Sequence, residues 1–374
     1  MSTPELVERV RSRLATSGTA VTRAEVARAV REESGIAGHD DILIATDRMT
    51  QEFVGAGPLE PLLRTPGTTD VLVTAPDQVW CDGDGGLRRT DVTFPNEDAV
   101  RRLAQRLALA CGRRLDDAQP FVDAWLPGRV RLHAVLPPIA AAGTCISLRV
   151  LRPAGHDLDS LRALGTFDDT VHHTLRAIVK ARMAFVVTGG TGAGKTSLLN
   201  ALLGEVSPDE RIVSVEDAAE LSPNHPQFVR LIARPPNVEG AGEVTLADLV
   251  REGLRMRPDR LVVGEVRGAE VCQLLTALNT GHDGGAGTVH ANSPAEVPAR
   301  MEALAALGGL PRAALHSQLS AAFHVVLHMR RERDGSRRLT DVGVFDRDGD
   351  TVKVVHDRIR LKALLAERGV TAPW

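Results

Sequence analysis

The feature that most constrains this chain is the segment FVVTGGTGAGKTSLLNALL at residues 185–203. Residues 189–196 fit the pattern G-x-x-x-x-G-K-[ST] at every specified position, an apolar strand pattern precedes them, and a helical pattern follows them. Glycines let the backbone wrap a phosphate chain with its N–H groups pointing inward, and the helix N-terminus adds partial positive charge. Because both flanks fit, we favour a phosphate-binding loop over a chance match or a structural glycine-rich turn.

The residues of this loop have defined tasks toward a nucleotide. Lys195 reaches the β- and γ-phosphates, and the Thr196 hydroxyl is placed to ligate Mg²⁺. The predicted nucleotide contacts are Gly189, Gly190, Thr191, Gly192, Ala193, Gly194, Lys195, Thr196 and Ser197.

A second apolar strand, in DRLVVGEVRG at residues 259–268, ends in an acid, Glu265. A carboxylate beside the phosphates can hold or polarise the Mg²⁺–water shell. The aspartate that usually precedes it is absent, and Gly264 stands there instead. Many buried strands end in a carboxylate, so the functional interpretation of Glu265 depends on the neighbouring phosphate-binding loop.

A third apolar strand, in RIVSVEDAAEL at residues 211–221, ends in Glu216 and Asp217, with Glu220 one turn later. Carboxylates at the C-terminal end of a strand suit water activation or metal ligation. Asp217 has an equally good explanation as a helix N-cap. We therefore take Glu216 as the better candidate for a catalytic residue.

The segment TGHDGGAGTVHANSP at residues 280–294 holds His282 and His290 among four glycines. A metal site, a catalytic base and a phosphate-sensing loop are the three alternatives. The spacing of the histidines fits no common zinc motif, and a base is redundant beside Glu216 and Glu265. We favour a sensor of the γ-phosphate, with His290 the stronger candidate and His282 a further nucleotide contact.

The pattern along the chain predicts four parts. Residues 1–53 read as a helical extension, 54–150 as an α+β domain, 151–165 as a linker and hinge, and 166–374 as alternating helices and short apolar strands. Continuous apolar strands separated by helices imply a mostly parallel sheet covered on both faces. The predicted fold class is therefore α/β, preceded by a smaller α+β domain.

The composition argues against several classes of function. The net charge of −3 and the aromatic content of 3% give no basic groove and few stacking platforms for nucleic acid. The cysteines form no C-x-x-C pair, and no apolar run approaches the ~20 residues of a membrane span. We expect a cytoplasmic protein, at most peripheral to a membrane, without zinc.

The run PPNVEGAGEVTLADLVREGLRMRPDRLVVGEVRGAE, followed by LNTGHDGGAGTVHANSP, resembles the secretion ATPases of type II and type IV secretion systems. It is most similar to the tight-adherence pilus ATPases, the CpaF/TadA branch. GAGPLEPLL, RVRLHAVLPP and ISLRVL extend the resemblance into the first domain, so that it covers residues 55 to 330, roughly three-quarters of the chain.

The resemblance implies a RecA-like P-loop domain that hydrolyses ATP with Mg²⁺. It implies hexameric rings at the cytoplasmic face of the inner membrane, with ATP between the two domains. Lys195 and Thr196 would be the Walker A pair, Glu216 the acidic-box residue that orders water, and Glu265 the Walker B glutamate, with Thr196 and Glu265 holding Mg²⁺. His282 and His290 match the histidine box. Arginines matching family positions near the nucleotide or an adjacent subunit are Arg131, Arg149, Arg230 and Arg234.

The sequence leaves three functions open. The first is an ATP-hydrolysing motor that couples hydrolysis to interdomain motion and acts on inner-membrane platform proteins of a pilus or secretion apparatus. The second is a RecA-like nucleic-acid translocase associated with conjugation, although the charge makes nucleic acid an unexpected partner. The third is a nucleotide-binding scaffold without turnover. Intact Lys195, Glu216 and Glu265 favour the motor.

Overall fold

The computed structural model describes residues 55–374 apart from 84, 152–154 and 238–239, together with residues 23–33 and positions 9, 10, 12, 13 and 46. It divides the chain into two compact units, Met1–Arg152 and Pro153–Trp374. Most of the helical extension predicted for residues 1–53 lies outside the described residues. Within it, helix α1 spans Arg23–Glu33.

The elements of the first unit are α2 (Glu60–Arg64), β1 (Thr68–Ala75), β2 (Gln78–Gly83), β3 (Arg88–Arg89), α3 (Glu97–Ala110), β4 (Phe121–Leu126), β5 (Val130–Val135) and β6 (Cys145–Val150). The six strands form an antiparallel sheet with the order β3-β2-β1-β6-β5-β4. Helix α3 is capped by Asn96, whose side chain accepts a hydrogen bond from the Ala99 amide at 3.0 Å. Its apolar stripe, including Val100 and Leu107, belongs to one core with the sheet.

The second unit contains an eight-stranded sheet with helices on both faces. Its elements are α4 (Leu158–Ala163), α5 (Asp169–Lys180), β7 (Phe185–Thr188), α6 (Lys195–Gly204), β8 (Ile212–Glu216), β9 (Phe228–Ile232), α7 (Leu246–Leu254), β10 (Arg260–Val263), α8 (Glu270–Leu278), β11 (Ala286–Val289), α9 (Val297–Leu307), α10 (Arg312–Ala322), β12 (Val325–Arg331), β13 (Arg337–Asp348), β14 (Thr351–Val355) and α11 (Arg358–Glu367). The strand order is β14-β13-β12-β7-β11-β10-β8-β9.

The central strands of this sheet explain its parallel topology. β7, β8, β10 and β11 are buried at every residue, as strands covered on both faces must be. Phe185 and Val187 share a core with α4, α5, α6 and α11, whereas Val186 shares one with α7 to α10. The six strands from β12 to β9 are parallel, and β13 and β14 add an antiparallel edge. The predicted α/β fold class is thereby confirmed.

The interval predicted as a linker, residues 151–165, is only partly a connection. Helix α4 lies inside it, and Leu158 and Leu161 are buried in the core of the second unit. Asp157 caps this helix by accepting from the Ser160 amide at 2.7 Å. The proline and glycines of the segment suggested irregular chain, but the two buried leucines tie the helix to the second unit. Nowhere in the described ranges does a helix combine the length and apolar character needed to cross a membrane.

Candidate nucleotide site

Four neighbouring parallel strands end at one edge of the second sheet, and each delivers a predicted site residue there. β7 leads into the loop at residues 189–194, and β8 ends on Glu216. Glu265 follows β10, and His290 follows β11. The carboxyl ends of parallel strands form the crevice where ligands bind in open α/β sheets. Residues far apart in sequence are therefore collected around one loop.

The loop itself is fixed by its surroundings. Helix α6 begins after Gly194, which has the left-handed φ of 95°. A Cβ built on Gly189 would lie 2.2 Å from the carbonyl oxygen of Met329 on β12, so no other residue fits there. The backbone amides at the start of α6 face the crevice with the positive end of the helix dipole. This arrangement is suited to hold the phosphates of a nucleotide.

Lys195 lies folded along the loop. Its Nζ donates to the carbonyl oxygens of Gly189 and Gly190, each at 3.0 Å, and is 3.5 Å from His290 Nε2. Burial lowers the pKa of the ammonium, and the charge of Glu265 acts in the opposite direction. Three donors on a flexible stem can be transferred from carbonyls to phosphate oxygens without moving the backbone.

Glu265 and His290 form a close pair on the flank of the loop next to Lys195. His290 Nε2 lies 2.6 Å from Glu265 Oε1, and Arg267 donates to Oε2 of the same carboxylate. Burial lowers the pKa of His290, and Lys195 lowers it further. The neutral imidazole is therefore favoured, and its Nε2 faces both the Glu265 carboxylate and the Lys195 ammonium. Both side chains remain partly exposed and can reach a ligand.

Glu216 is placed differently from Glu265. Its side chain is 2% exposed, and it accepts from Ser214 Oγ at 2.9 Å and from the amides of Glu220 and Leu221 at 2.9 and 2.8 Å. Burial raises the pKa of its carboxyl group, which the hydrogen bonds oppose. These contacts hold the loop at residues 217–221 in place. The role in ordering water that the resemblance implies for Glu216 stays a prediction beside these structural contacts.

The absence of the usual aspartate before Glu265 has a steric explanation. A Cβ built on Gly264 would lie 2.8 Å from Glu216 Cγ, so the Glu216 side chain crosses the space that an aspartate would need. The buried carboxylate of β8 and the glycine after β10 are therefore mutually dependent.

Glu220 is a residue whose role the sequence did not single out. Its Oε2 lies 3.4 Å from Thr196 Oγ1, at the first turn of α6. Among the described residues no cluster of three or more His, Cys, Asp or Glu side chains could hold a metal by itself. A hydroxyl with a carboxylate beside it suits Mg²⁺, which keeps several waters and binds phosphates. The sequence feature that points to Glu220 is its position one turn after Glu216 in RIVSVEDAAEL.

Two of the predicted arginines support loops near this edge. Arg230 donates to the Leu221 carbonyl, and its Nε lies 3.3 Å from Glu216 Oε1. Arg234 Nε donates to the Gly242 carbonyl at 2.8 Å, beside the backbone bridge between Arg234 and Val244. Arg230 thus stabilises the loop at residues 217–221. The side chain of Arg234 is exposed.

The other two predicted arginines belong to the first unit. Arg131 and Arg149 lie opposite each other on β5 and β6. Arg131 Nε donates to Asp123 Oδ1 at 2.8 Å, and Arg149 Nε donates to Asp70 Oδ1 at 2.8 Å. They form a charged row across the antiparallel sheet of the first unit.

His282 does not share the edge that carries the other site residues. It precedes β11, whereas His290 follows that strand, and a four-residue strand spans about 13 Å. Its Nδ1 lies 3.2 Å from the Ala277 carbonyl at the end of α8. The sequence grouped the two histidines by proximity in the chain, but the strand between them separates them.

Comparisons with known proteins identify the family and the fold. The family model described as "Type II/IV secretion system protein" matches residues 52–353. The chain is 64% identical over 324 residues to "Putative conjugal transfer protein Rv3659c" of Mycobacterium tuberculosis, covering 85% of this chain and 92% of that protein. It is 30% identical over 339 residues to the type IV secretion system protein PtlH of Bordetella pertussis, covering 82% and 98%. The ATPase DotB of Legionella pneumophila is similar in fold, with a TM-score of 0.54 and 18% identity over 83% of this chain and 84% of DotB.

Proposed function

This chain belongs to the type II/IV secretion system protein family and is an ATPase, and we propose that its site hydrolyses Mg-ATP to power a pilus or secretion apparatus. The single observation that carries the assignment of the site is the convergence of Lys195, Glu265 and His290 beside the loop at residues 189–194. A phosphate-binding loop without acids would serve binding alone. Here a carboxylate and a neutral imidazole stand where the terminal phosphate is reached by Lys195.

The residues divide the work of hydrolysis among them. Lys195 neutralises charge on the terminal phosphates, and the loop amides hold the chain of phosphates. Glu265 is the carboxylate that would orient the attacking water, and Arg267, which donates to its Oε2, holds the side chain in place. Mg²⁺, when bound, would be held by Thr196 with Glu265 as the second predicted ligand and Glu220 beside the hydroxyl, and it would add charge neutralisation on the phosphates. Glu216 and Arg230 act through the loop at residues 217–221 as positioning residues.

His290 has the geometry of a sensor. Its Nε2 lies between Lys195 Nζ and Glu265 Oε1, at 3.5 and 2.6 Å. A γ-phosphate that binds the Lys195 ammonium would draw it away from the carbonyl oxygens of the loop. The contact between Lys195 and the imidazole of His290 would then change. We propose that this change is the first step in passing the nucleotide state to the rest of the protein, through interdomain motion.

The machine that this ATPase serves is a further proposal. The motif resemblance favours a tight-adherence pilus, with a homo-hexamer peripheral to the inner membrane and platform proteins as partners. Co-purification of the tagged protein from its native host, with identification of the membrane proteins that follow it, tests this assignment. Recovery of pilus platform proteins supports it, and recovery of a conjugation channel contradicts it.

The names of two relatives give a second candidate some support. One is called "Putative conjugal transfer protein Rv3659c", and another is the conjugal transfer protein TrbB of Rhizobium radiobacter, 32% identical over 235 residues. A translocase acting on nucleic acid predicts ATPase activity that DNA stimulates and salt suppresses. The net charge of −3 favours a motor that acts on proteins over a translocase that acts on nucleic acid.

Substitution of Lys195 tests the assignment of the site. Lys195→Ala removes the cation that reaches the terminal phosphates, so we expect the steady-state ATPase rate to fall by a factor on the order of 10² or more. Lys362→Ala, which changes an exposed lysine on α11, is the matched control and should keep the wild-type rate. Equal rates for Lys195→Ala and wild type would place catalysis elsewhere.

A further inference from the structure

A hairpin rich in arginine stands beside the phosphate-binding loop. The segment RRERDGSRR at residues 330–338 joins β12 to β13 and contains five arginines. β12 is the direct parallel neighbour of β7, with His328 opposite Thr188. Since the loop begins at residue 189, the residues of β12 after His328 continue alongside it. The hairpin is therefore placed against the loop by the sheet itself.

Two of the hairpin's arginines approach the loop directly. Arg337 Nε donates to the Gly192 carbonyl at 3.1 Å. A Cβ built on Gly194 would lie 3.1 Å from Arg337 Cδ, and one built on Gly192 would lie 3.9 Å from Arg331 Nη1. Both side chains are exposed. Within the described part of the chain, neither guanidinium forms an ion pair with a carboxylate.

The strand register decides which arginines face the loop. Arg331 pairs with Arg337, Arg330 with Arg338, and Met329 with Leu339. Met329 and Leu339 are buried in the core that contains α6. Because successive side chains of a strand point to opposite faces, Arg331 and Arg337 lie on the α6 face with them. Arg338 lies on the other face and offers an internal control.

The two flanks of the loop are unlike in charge. On the β11 flank are His290 and Glu265, and Lys195 Nζ lies 3.5 Å from His290. Lysine at this position of the loop reaches the β- and γ-phosphates, so the terminal phosphate belongs on that flank. On the opposite flank, the hairpin side chains that approach the loop in the described part of the chain are the guanidinium groups of Arg331 and Arg337. A nucleotide lying along the loop would therefore present its α-phosphate and nucleoside to Arg331 and Arg337.

We propose that Arg331 and Arg337 hold the α-phosphate and nucleoside end of the bound nucleotide. Guanidinium groups bind phosphate oxygens through paired N–H donors and also stack on the faces of bases. In this chain Arg337 exchanges its Gly192 carbonyl partner for the ligand. The inference rests on the proposed function, since it requires a nucleotide on this loop. It adds a second pair of binding residues to Lys195, from a part of the chain that contains no nucleotide motif.

The test compares two ligands on one set of variants. ADP carries an α-phosphate and a nucleoside, whereas inorganic pyrophosphate can occupy the positions next to Lys195 without them. We expect the Arg331→Ala/Arg337→Ala variant to bind ADP about tenfold or more weakly, with less than about a threefold change for pyrophosphate. KM for ATP should rise while kcat stays within about twofold. Arg338→Ala should change none of these values.

Other outcomes overturn the proposal. Unchanged ADP affinity in the double variant removes the contact, and an equal loss for ADP and pyrophosphate indicates distortion of the loop or general electrostatics. An Arg331→Lys/Arg337→Lys variant, with an unchanged unfolding temperature, guards against misfolding and should recover part of the ADP affinity. If the wild-type protein binds neither ligand, the proposed function itself fails. A hairpin that instead docks an acidic protein would leave both ligand affinities unchanged.

Discussion

At the scale of single residues, the site depends on which carboxylates are buried and which are exposed to ligand. Glu216 and Glu265 both end apolar strands, and sequence pattern treats them alike. The structure buries Glu216 under two backbone amides and leaves Glu265 beside His290 and Lys195. That difference arises from tertiary neighbours, above all the missing side chain at Gly264, and no local pattern contains it. Lys195 and Thr196, by contrast, were predictable because their motif fixes both chemistry and local geometry.

Another histidine, His324, makes the folding stability of the protein depend on pH. Burial, aided by the nearby charge of Arg368, lowers its pKa from 6.5 to about 4. Below pH 6.5 the imidazole of His324 is protonated in the unfolded chain but stays neutral in the folded chain. Folding stability is therefore lost as the pH falls from 6.5 toward 4.

The size of this effect follows from the shift in pKa. For His324 alone, the loss between pH 7.5 and pH 5 amounts to about 2 kcal/mol, and it rises to about 3 kcal/mol below pH 4. Urea unfolding of wild type and His324→Asn at pH 7.5 and pH 5 measures it, and the Asn variant should lose less stability between the two pH values. Parallel losses in both proteins would exclude His324 as the source.

At the scale of elements, the order of strands in the sheet decides which segments meet. Helices and apolar strands from residue 166 onward were predictable from their periodicity, because a parallel sheet covered on both faces needs continuous apolar strands. Local pattern does not contain the pairing of β12 with β7, so the sequence does not predict that the arginine hairpin at residues 330–338 lies beside the loop. His282 was misplaced for the same reason, since four residues of β11 carry the chain to the other edge.

The close packing of β8 against the turn after β10 gives a prediction at this scale. Gly264→Ala places a methyl group 2.8 Å from Glu216 Cγ, so Glu216 or the Glu265 backbone must move. We expect a loss of about 1–3 kcal/mol in unfolding free energy and at least a tenfold fall in ATPase rate. Urea unfolding and steady-state hydrolysis measure the two effects.

The control for this substitution is Gly204→Ala. A Cβ at residue 204 meets nothing within 4 Å, so that variant should keep both the stability and the rate of wild type. If Gly264→Ala behaves in the same way, the supposed dependence between Gly264 and Glu216 does not exist.

At the scale of the whole molecule, the chain combines a small α+β unit with a P-loop unit. The resemblance to type II and type IV secretion ATPases is confirmed by the family match over residues 52–353. The tight-adherence branch, the hexamer and the roles of Arg131 and Arg149 stay predictions, because they concern other subunits and partners. At this scale the sequence establishes the chemistry of the phosphate-binding loop. It does not determine which pilus or secretion apparatus the protein serves.

The central claim is that this site hydrolyses ATP and that Glu265 is the carboxylate responsible. The most direct measurement is single-turnover hydrolysis by Glu265→Gln, a substitution that keeps the shape of the side chain and removes its charge. We predict ATP binding within about threefold of wild type and a hydrolysis step slower by a factor on the order of 10² or more. Hydrolysis at the wild-type rate would contradict the assignment of Glu265, and absence of turnover in both proteins would support a scaffold that binds nucleotide without using it.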